Sequence, residues 1–224
     1  MKRVKIFFRY IACLLLLSGF SVPRCWASAT GLNNIPTTDV TPDKALVVQG
    51  WLATADGSKP VYMTGFKYGI LGKAEAGIDS MVGSEEAGPV AAQFKLKIFE
   101  HEMGFAALGG AEGMTFNEDI DENIVPYVAV SQDIKYLRFH GGYNFQKDNF
   151  GIFGGADATF PVFDEKLTVR GDLKQVDDGN ELLASAGFLL TLPFDLILES
   201  WISIPSMDEA NESVTVKLNY VISF

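Results

Sequence analysis

The stretch Val214-Thr215-Val216-Lys217-Leu218-Asn219-Tyr220-Val221-Ile222-Ser223-Phe224 carries the reading of the fold. Val214, Val216, Leu218, Tyr220, Ile222 and Phe224 fall on one parity. Thr215, Lys217, Asn219, Val221 and Ser223 fall on the other. Successive side chains of a strand point to opposite faces, so this stretch has one apolar wall and one mostly polar wall.

The same alternation recurs upstream. Phe194, Leu196, Leu198, Ile202 and Ile204 oppose Asp195, Glu199, Trp201 and Ser203. Val90, Ala92, Phe94, Leu96 and Ile98 oppose Gln93, Lys95 and Lys97. Similar segments cover 137–146, 150–160, 167–173 and 182–192. Weaker ones cover 44–54, 60–71, 73–82, 102–112 and 124–132. These segments predict an all-β chain of twelve strands over residues 44–224. Each is close to the 9–11 residues with which a tilted strand crosses a bilayer.

The connections follow a parity of their own. Links after even strands are tight: Leu71-Gly72, residues 100–102, residues 132–134, residues 161–165 and residues 192–194. Most links after odd strands are longer and acidic: 83–88, 113–123, 175–179 and 206–212. Short periplasmic turns and longer external loops mark an antiparallel up-and-down barrel in an outer membrane.

Alternation alone also fits a soluble barrel. Three features point to the membrane. The apolar faces are long and uniform. Charges stand in mid-strand on the opposite face. Aromatics (Tyr62, Tyr68, Phe145, Phe150, Phe160, Phe194, Tyr220, Phe224) gather near strand ends, where girdles of headgroup-level rings are expected. A spanning sheet must close, because an open edge leaves backbone groups unpaired in hydrocarbon.

The N-terminus fits an exported protein. Lys2, Arg3, Lys5 and Arg9 precede an apolar run from Ile11 to Val22, and Trp26-Ala27-Ser28-Ala29 offers small residues for cleavage. Residues 1–29 therefore read as a secretory signal peptide rather than an anchor helix. Cys25 follows Pro23-Arg24, a poor setting for lipidation. Both cysteines, Cys13 and Cys25, lie in this segment, so the mature chain holds no thiol and no disulfide. Its loss removes five of the 18 basic residues and none of the 28 acids, leaving 13 basic residues and a net charge of −15. Such a surface excludes nucleic acid as a partner. Residues 30–43, with Pro36 and Pro42, read as an irregular periplasmic leader.

The final strand, Val216 to Phe224, resembles the terminal strand of bacterial outer-membrane β-barrels. In that family a terminal aromatic behind alternating apolar positions is the signal read by the barrel insertion machinery. The resemblance carries this role onto Tyr220, Ile222 and Phe224. It implies a Gram-negative outer membrane, with outer-membrane lipids and the insertion machinery as partners. It names no subfamily.

Lipid-modifying enzymes among such barrels use a His with Ser two residues on. His101 precedes Glu102-Met103 and His140 precedes Gly141-Gly142, so neither supplies that spacing. No catalytic residue, no metal site and no cofactor is expected. The acidic run 117–123 offers hard oxygen ligands but lacks the spacing of a calcium loop, and reads as a solvated external loop. Gly109-Gly110, Gly141-Gly142 and Gly154-Gly155 match no phosphate loop and read as kinks or bulges.

By parity, Lys67, Glu75, Asp79, Lys95, Lys97, Arg138, His140, Asp157, Arg170, Asp172, Asp195 and Glu199 face the lumen. Twelve strands enclose more room than side chains alone fill, and no link between strands is long enough to fold in as a plug. The expected function is a porin-like channel for passive diffusion of small polar or ionic solutes. The alternative is a non-conducting barrel with a structural role or an accessory role in export, for example of surface polysaccharide.

Overall fold

The computed structural model describes residues 31–55, 59–82, 90–115, 124–146, 149–162, 165–176, 181–206 and 211–224. The expected signal peptide and the acidic run 117–123 lie outside the described residues. Twelve strands form one closed antiparallel barrel. They are β1 (Ala45–Ala55), β2 (Val61–Ile70), β3 (Ala74–Val82), β4 (Val90–Glu100), β5 (Phe105–Thr115) and β6 (Val125–Ile134), then β7 (Leu137–Gln146), β8 (Asn149–Val162), β9 (Glu165–Val176), β10 (Glu181–Leu192), β11 (Leu196–Pro205) and β12 (Ser213–Ser223).

Each strand pairs with its neighbours in sequence. β12 closes the ring on β1, in register from Ala45 opposite Ser223 to Ala55 opposite Ser213. Closure leaves no open edge. The segment that decided the fold thus supplies the closing strand.

Apart from the two-residue link from β7 to β8, a short exception at the opposite rim, the tight links follow even strands and lie at one rim. Two are displaced by a few residues from their expected places: Lys135-Tyr136 links β6 to β7, and residues 101–104 link β4 to β5. Positive φ values concentrate at this rim, at Lys44, Leu71, Gly72, Gly104, Lys135, Phe194 and Asp195. Turns with positive φ match the right-handed twist of the flanking strands. Asp195 is one of these exposed turn residues, so it does not line the lumen as its parity suggested.

Alternation sorts the two walls as the sequence implies. Phe66, Ile78, Phe94, Leu96, Phe139, Ile152, Val169, Leu173, Val216, Leu218 and Tyr220 are exposed on the outside. Water would not tolerate so continuous an apolar band; it suits lipid. Among the described residues no helix is long and apolar enough to cross a membrane, so any crossing is made by strands.

Segment 31–43 corrects the sequence reading. It is irregular, as expected, but it is not a leader outside the barrel. It lies within the lumen as a plug. Leu32, Ile35 and Val40 are buried in one apolar cluster with Leu108, Tyr127, Ala129 and Phe153 of the inner wall. The expectation that nothing would fold in considered only the links between strands. The plug comes instead from the chain that precedes β1. Its apolar side chains find an apolar patch inside, and each is worth about 1.5–3 kcal/mol when fully buried.

One glycine of each pair makes room for this filling. Gly141 and Gly154 pair directly, without a register shift. The register shifts of β4 against β5 instead fall between Ala92 and Phe94 and between Lys97 and Phe99. At Gly155 a Cβ would meet the Leu32 side chain, and at Gly142 it would meet the Phe153 ring.

Candidate functional site

The site is the inner wall together with the plug. The chain enters at the tight-turn rim. Lys44 N–H donates to the Gly69 carbonyl at 3.2 Å, and Leu71 N–H donates to Asp43 Oδ1 at 2.6 Å. A Cβ at Gly69 would collide with the Thr41 and Pro42 carbonyls, so only glycine lets the chain pass so close to β2. Farther in, Gly31 bridges Pro36, and Leu32 N–H donates to the Ile35 carbonyl at 3.0 Å, which folds the tip back on itself.

Polar contacts hold the plug along its length. Thr41 donates its N–H (2.8 Å) and its hydroxyl (2.7 Å) to Glu75 Oε2. Thr38 donates its hydroxyl to Ser131 Oγ at 2.9 Å. Asp39 Oδ1 accepts from Arg138 Nη1 at 2.8 Å. Asn33 and Asn34 N–H groups donate to Asp172 Oδ2 at 2.8 and 3.3 Å. Asn34 Nδ2 also donates to Ser185 Oγ and, at 2.9 Å, to Ser203 Oγ. Arg170 Nε donates to Asn33 Oδ1 at 2.8 Å.

The charges expected in the lumen form two groups. On β7 to β9, Arg138 donates to Asp157 Oδ2 through Nε (3.2 Å) and Nη2 (2.9 Å), and His140 Nε2 lies 2.9 Å from the same oxygen. Arg170 pairs with Glu199 and sits 5.7 Å from the centre of the Trp201 ring. Asp172 caps the plug tip from the same wall. The second group lies on β1 to β4 and β12. Lys67 Nζ is 3.8 Å from Glu75, and Lys217 Nζ is 3.9 Å from Glu199. Asp79 accepts from Gln49 (2.6 Å) and Gln93 (2.7 Å). Lys95 is buried on the inner face of β4. Lys97 lies near the rim, 3.3 Å from the exposed Glu100.

Ser131 Oγ, His140 Nδ1, His140 Nε2 and Asp157 Oδ2 form a line, with gaps of 2.7 and 2.9 Å. The order of groups resembles a nucleophilic triad, and it brings to His140 a serine that sequence spacing did not foretell. Its bonds are committed elsewhere, however. Asp157 also serves Arg138, Ser131 also accepts from Thr38, and all three side chains are buried. The line locks the plug to the wall. Among the described residues no group of three or more His, Cys, Asp or Glu side chains is placed to hold a metal ion.

Tyr220 and Phe224 are exposed on the outer surface, and Ile222 is half-buried. The lumen candidates left out the apolar inner residues Leu108, Tyr127 and Phe153 and also Glu112, and they did not include Gln93, Trp201 and Lys217 although parity had put these three on the polar face. A cavity of about 150 Å³ remains beside the plug tip, lined by residues 31–36, Lys67, Gln93, Lys95, Glu112, Glu199, Trp201 and Lys217.

Comparison with solved structures places the fold among outer-membrane channels. The KdgM porin, solved in complex with disordered oligogalacturonate, matches with a TM-score of 0.63 at 12% identity, over 80% of this chain and 99% of that one. The NanC porin matches with 0.57 at 13%, over 78% and 98%. An outer membrane channel from Pseudomonas putida F1 matches with 0.53 at 10%, over 83% and 98%. No family model and no curated protein matches the sequence. At these identities the likeness is one of fold.

Proposed function

We propose that this chain is an outer-membrane channel for passive diffusion of small polar or ionic solutes, with its lumen narrowed by its own segment 31–43. One observation carries the reading. A closed twelve-stranded wall is apolar outside and lined inside with charged and amide side chains. A lining of this kind suits a water-filled path and can set its selectivity. The porin neighbours share the fold, and the KdgM porin was solved in complex with disordered oligogalacturonate. The same reading takes the protein through export to the outer membrane, with Tyr220, Ile222 and Phe224 as its insertion signal. It assigns no covalent chemistry.

The plug gives weight to a second reading, a non-conducting barrel. Single-channel recording in planar bilayers separates the two. The intact barrel is compared with a version lacking residues 31–41 and with the double variant Lys95→Glu, Lys97→Glu. Insertion is verified by heat-modifiable migration. The channel reading expects discrete steps, several-fold larger without the plug, and a shift toward cations in the double variant. Inserted barrels that pass no current with or without the plug would establish the scaffold instead.

A further inference from the structure

Two of the residues that line the cavity beside the plug tip each hold a buried hydrogen-bond donor without a partner. Lys95 Nζ is buried and has no hydrogen-bond partner among the described residues, and Lys95 is only 3% exposed. Asn33 Nδ2 is the second such donor. Its identity as nitrogen follows from its other end, because Asn33 Oδ1 accepts from Arg170 Nε, which can only donate. Both residues line the same cavity, one from the wall and one from the plug. Lys67 and Lys217 line it too.

Two acids also line the cavity. Glu199 is already engaged by Arg170 and by Asn219 Nδ2, the latter at 2.5 Å. Glu112 is the other.

The state of Lys95 has a cause. It stands directly opposite Glu75 in the pairing of β3 with β4, where an ion pair is the ordinary outcome. Yet Glu75 Oε2 takes two bonds from Thr41 of the plug, and Lys67 stands by Oε1. By engaging Glu75, the seated plug leaves the Lys95 ammonium without its cross-strand partner. A buried charge in that state is costly unless something pairs with it. Two donors without partners, with Lys67 and Lys217 on the same lining and Glu199 already engaged, describe a receptor for an oxyanion. The volume far exceeds the roughly 10–15 Å³ that one water requires.

We propose that the cavity between the plug tip and Lys95 is a binding site for a small oxyanion, of carboxylate or phosphate type, that exists only while the plug is seated. Reciprocity follows. An anion that binds only the seated state stabilises that state, so occupancy holds the plug in place. The site rests on the barrel and its inserted segment and does not require that the lumen conduct.

The test is a titration of the refolded barrel in detergent with inorganic phosphate, acetate or glucose, at ionic strength held constant with chloride. Fluorescence of Trp201, which lines the cavity, and of Trp51, whose ring lies 5.3 Å from Lys217 Nζ, reports binding. A saturable change with phosphate or acetate but not glucose is expected. Lys95→Met should weaken it at least tenfold, and Lys59→Met, in an exposed link, should leave it unchanged. Thr41→Val, which frees part of Glu75 for Lys95, should weaken it several-fold. Lys95→Met removes an unpaired charge, so its barrel should fold at least as well as the parent. No saturable response, an equal response to glucose, or a response undiminished by Lys95→Met would overturn the proposal. Because the readout needs no current, a silent bilayer leaves this result untouched.

Discussion

The plug meets two different walls inside one barrel. Toward β5–β9 it packs Leu32, Ile35 and Val40 against Leu108, Tyr127, Ala129 and Phe153, and both arginines there are engaged: Arg138 with Asp39 and Asp157, Arg170 with Asn33 and Glu199. Toward β2–β4 and β12 it touches fewer groups, a cavity stays open, and Lys95 is left without a hydrogen-bond partner. Both walls come from the same alternating strands. They differ in what the plug presents to them. A buried charge is settled only where a partner of the right shape arrives, and the same short segment supplies one to both arginines and none to Lys95.

Substitutions can break or sharpen this contrast. The largest effect is expected on the settled wall. Arg170→Met takes from the buried Glu199 its nearest cation, leaving Asn219 and the more distant Lys217, and releases Asn33. Breaking one partner of a buried pair costs about 3–5 kcal/mol, read as a lower urea midpoint for the refolded barrel. Lys95→Met on the open wall should leave that midpoint unchanged or raise it. Equal losses in the two variants would erase the distinction between the walls.

A middling effect is expected where the plug crosses Ser131. Thr38→Val removes one hydroxyl donor while Ser131 keeps His140 as a partner, for a loss of about 1 kcal/mol. The cleanest reading comes from protease protection of the segment, which should fall by roughly fivefold for a loss of that size. The smallest effect belongs to Lys97→Met. Its pair with Glu100 is exposed at the rim, and such pairs contribute about 0–1 kcal/mol. A midpoint shift comparable to that of Arg170→Met would show that Lys97 is part of the buried network.

Much of the architecture was legible because it is written locally. Alternation at i and i+2 in segments such as Val214–Phe224 places faces without knowledge of any partner. Links such as Leu71-Gly72 mark the turns. Parity sorts residues by face only within a strand, and Asp195 departs from it because a turn with positive φ interrupts the strand there. The inner apolar patch was also visible in principle. Leu108, Tyr127, Ala129 and Phe153 fall on lumen parity, and Leu32, Ile35 and Val40 stand in the segment before β1. An apolar patch on a polar wall asks for an apolar partner, and that segment was the available one.

The sequence by itself determined twelve strands, their inward and outward faces and the rim of tight turns, because each depends on neighbours a few residues apart. Only the tertiary structure decided that residues 31–43 fill the lumen, that Ser131, His140 and Asp157 meet, and that Lys95 loses its opposite number. Those outcomes join groups as far apart as Asn33 and Asp172, 139 positions along the chain. Such distances are fixed only when β12 closes on β1, since closure sets which inner residues face one another across the lumen.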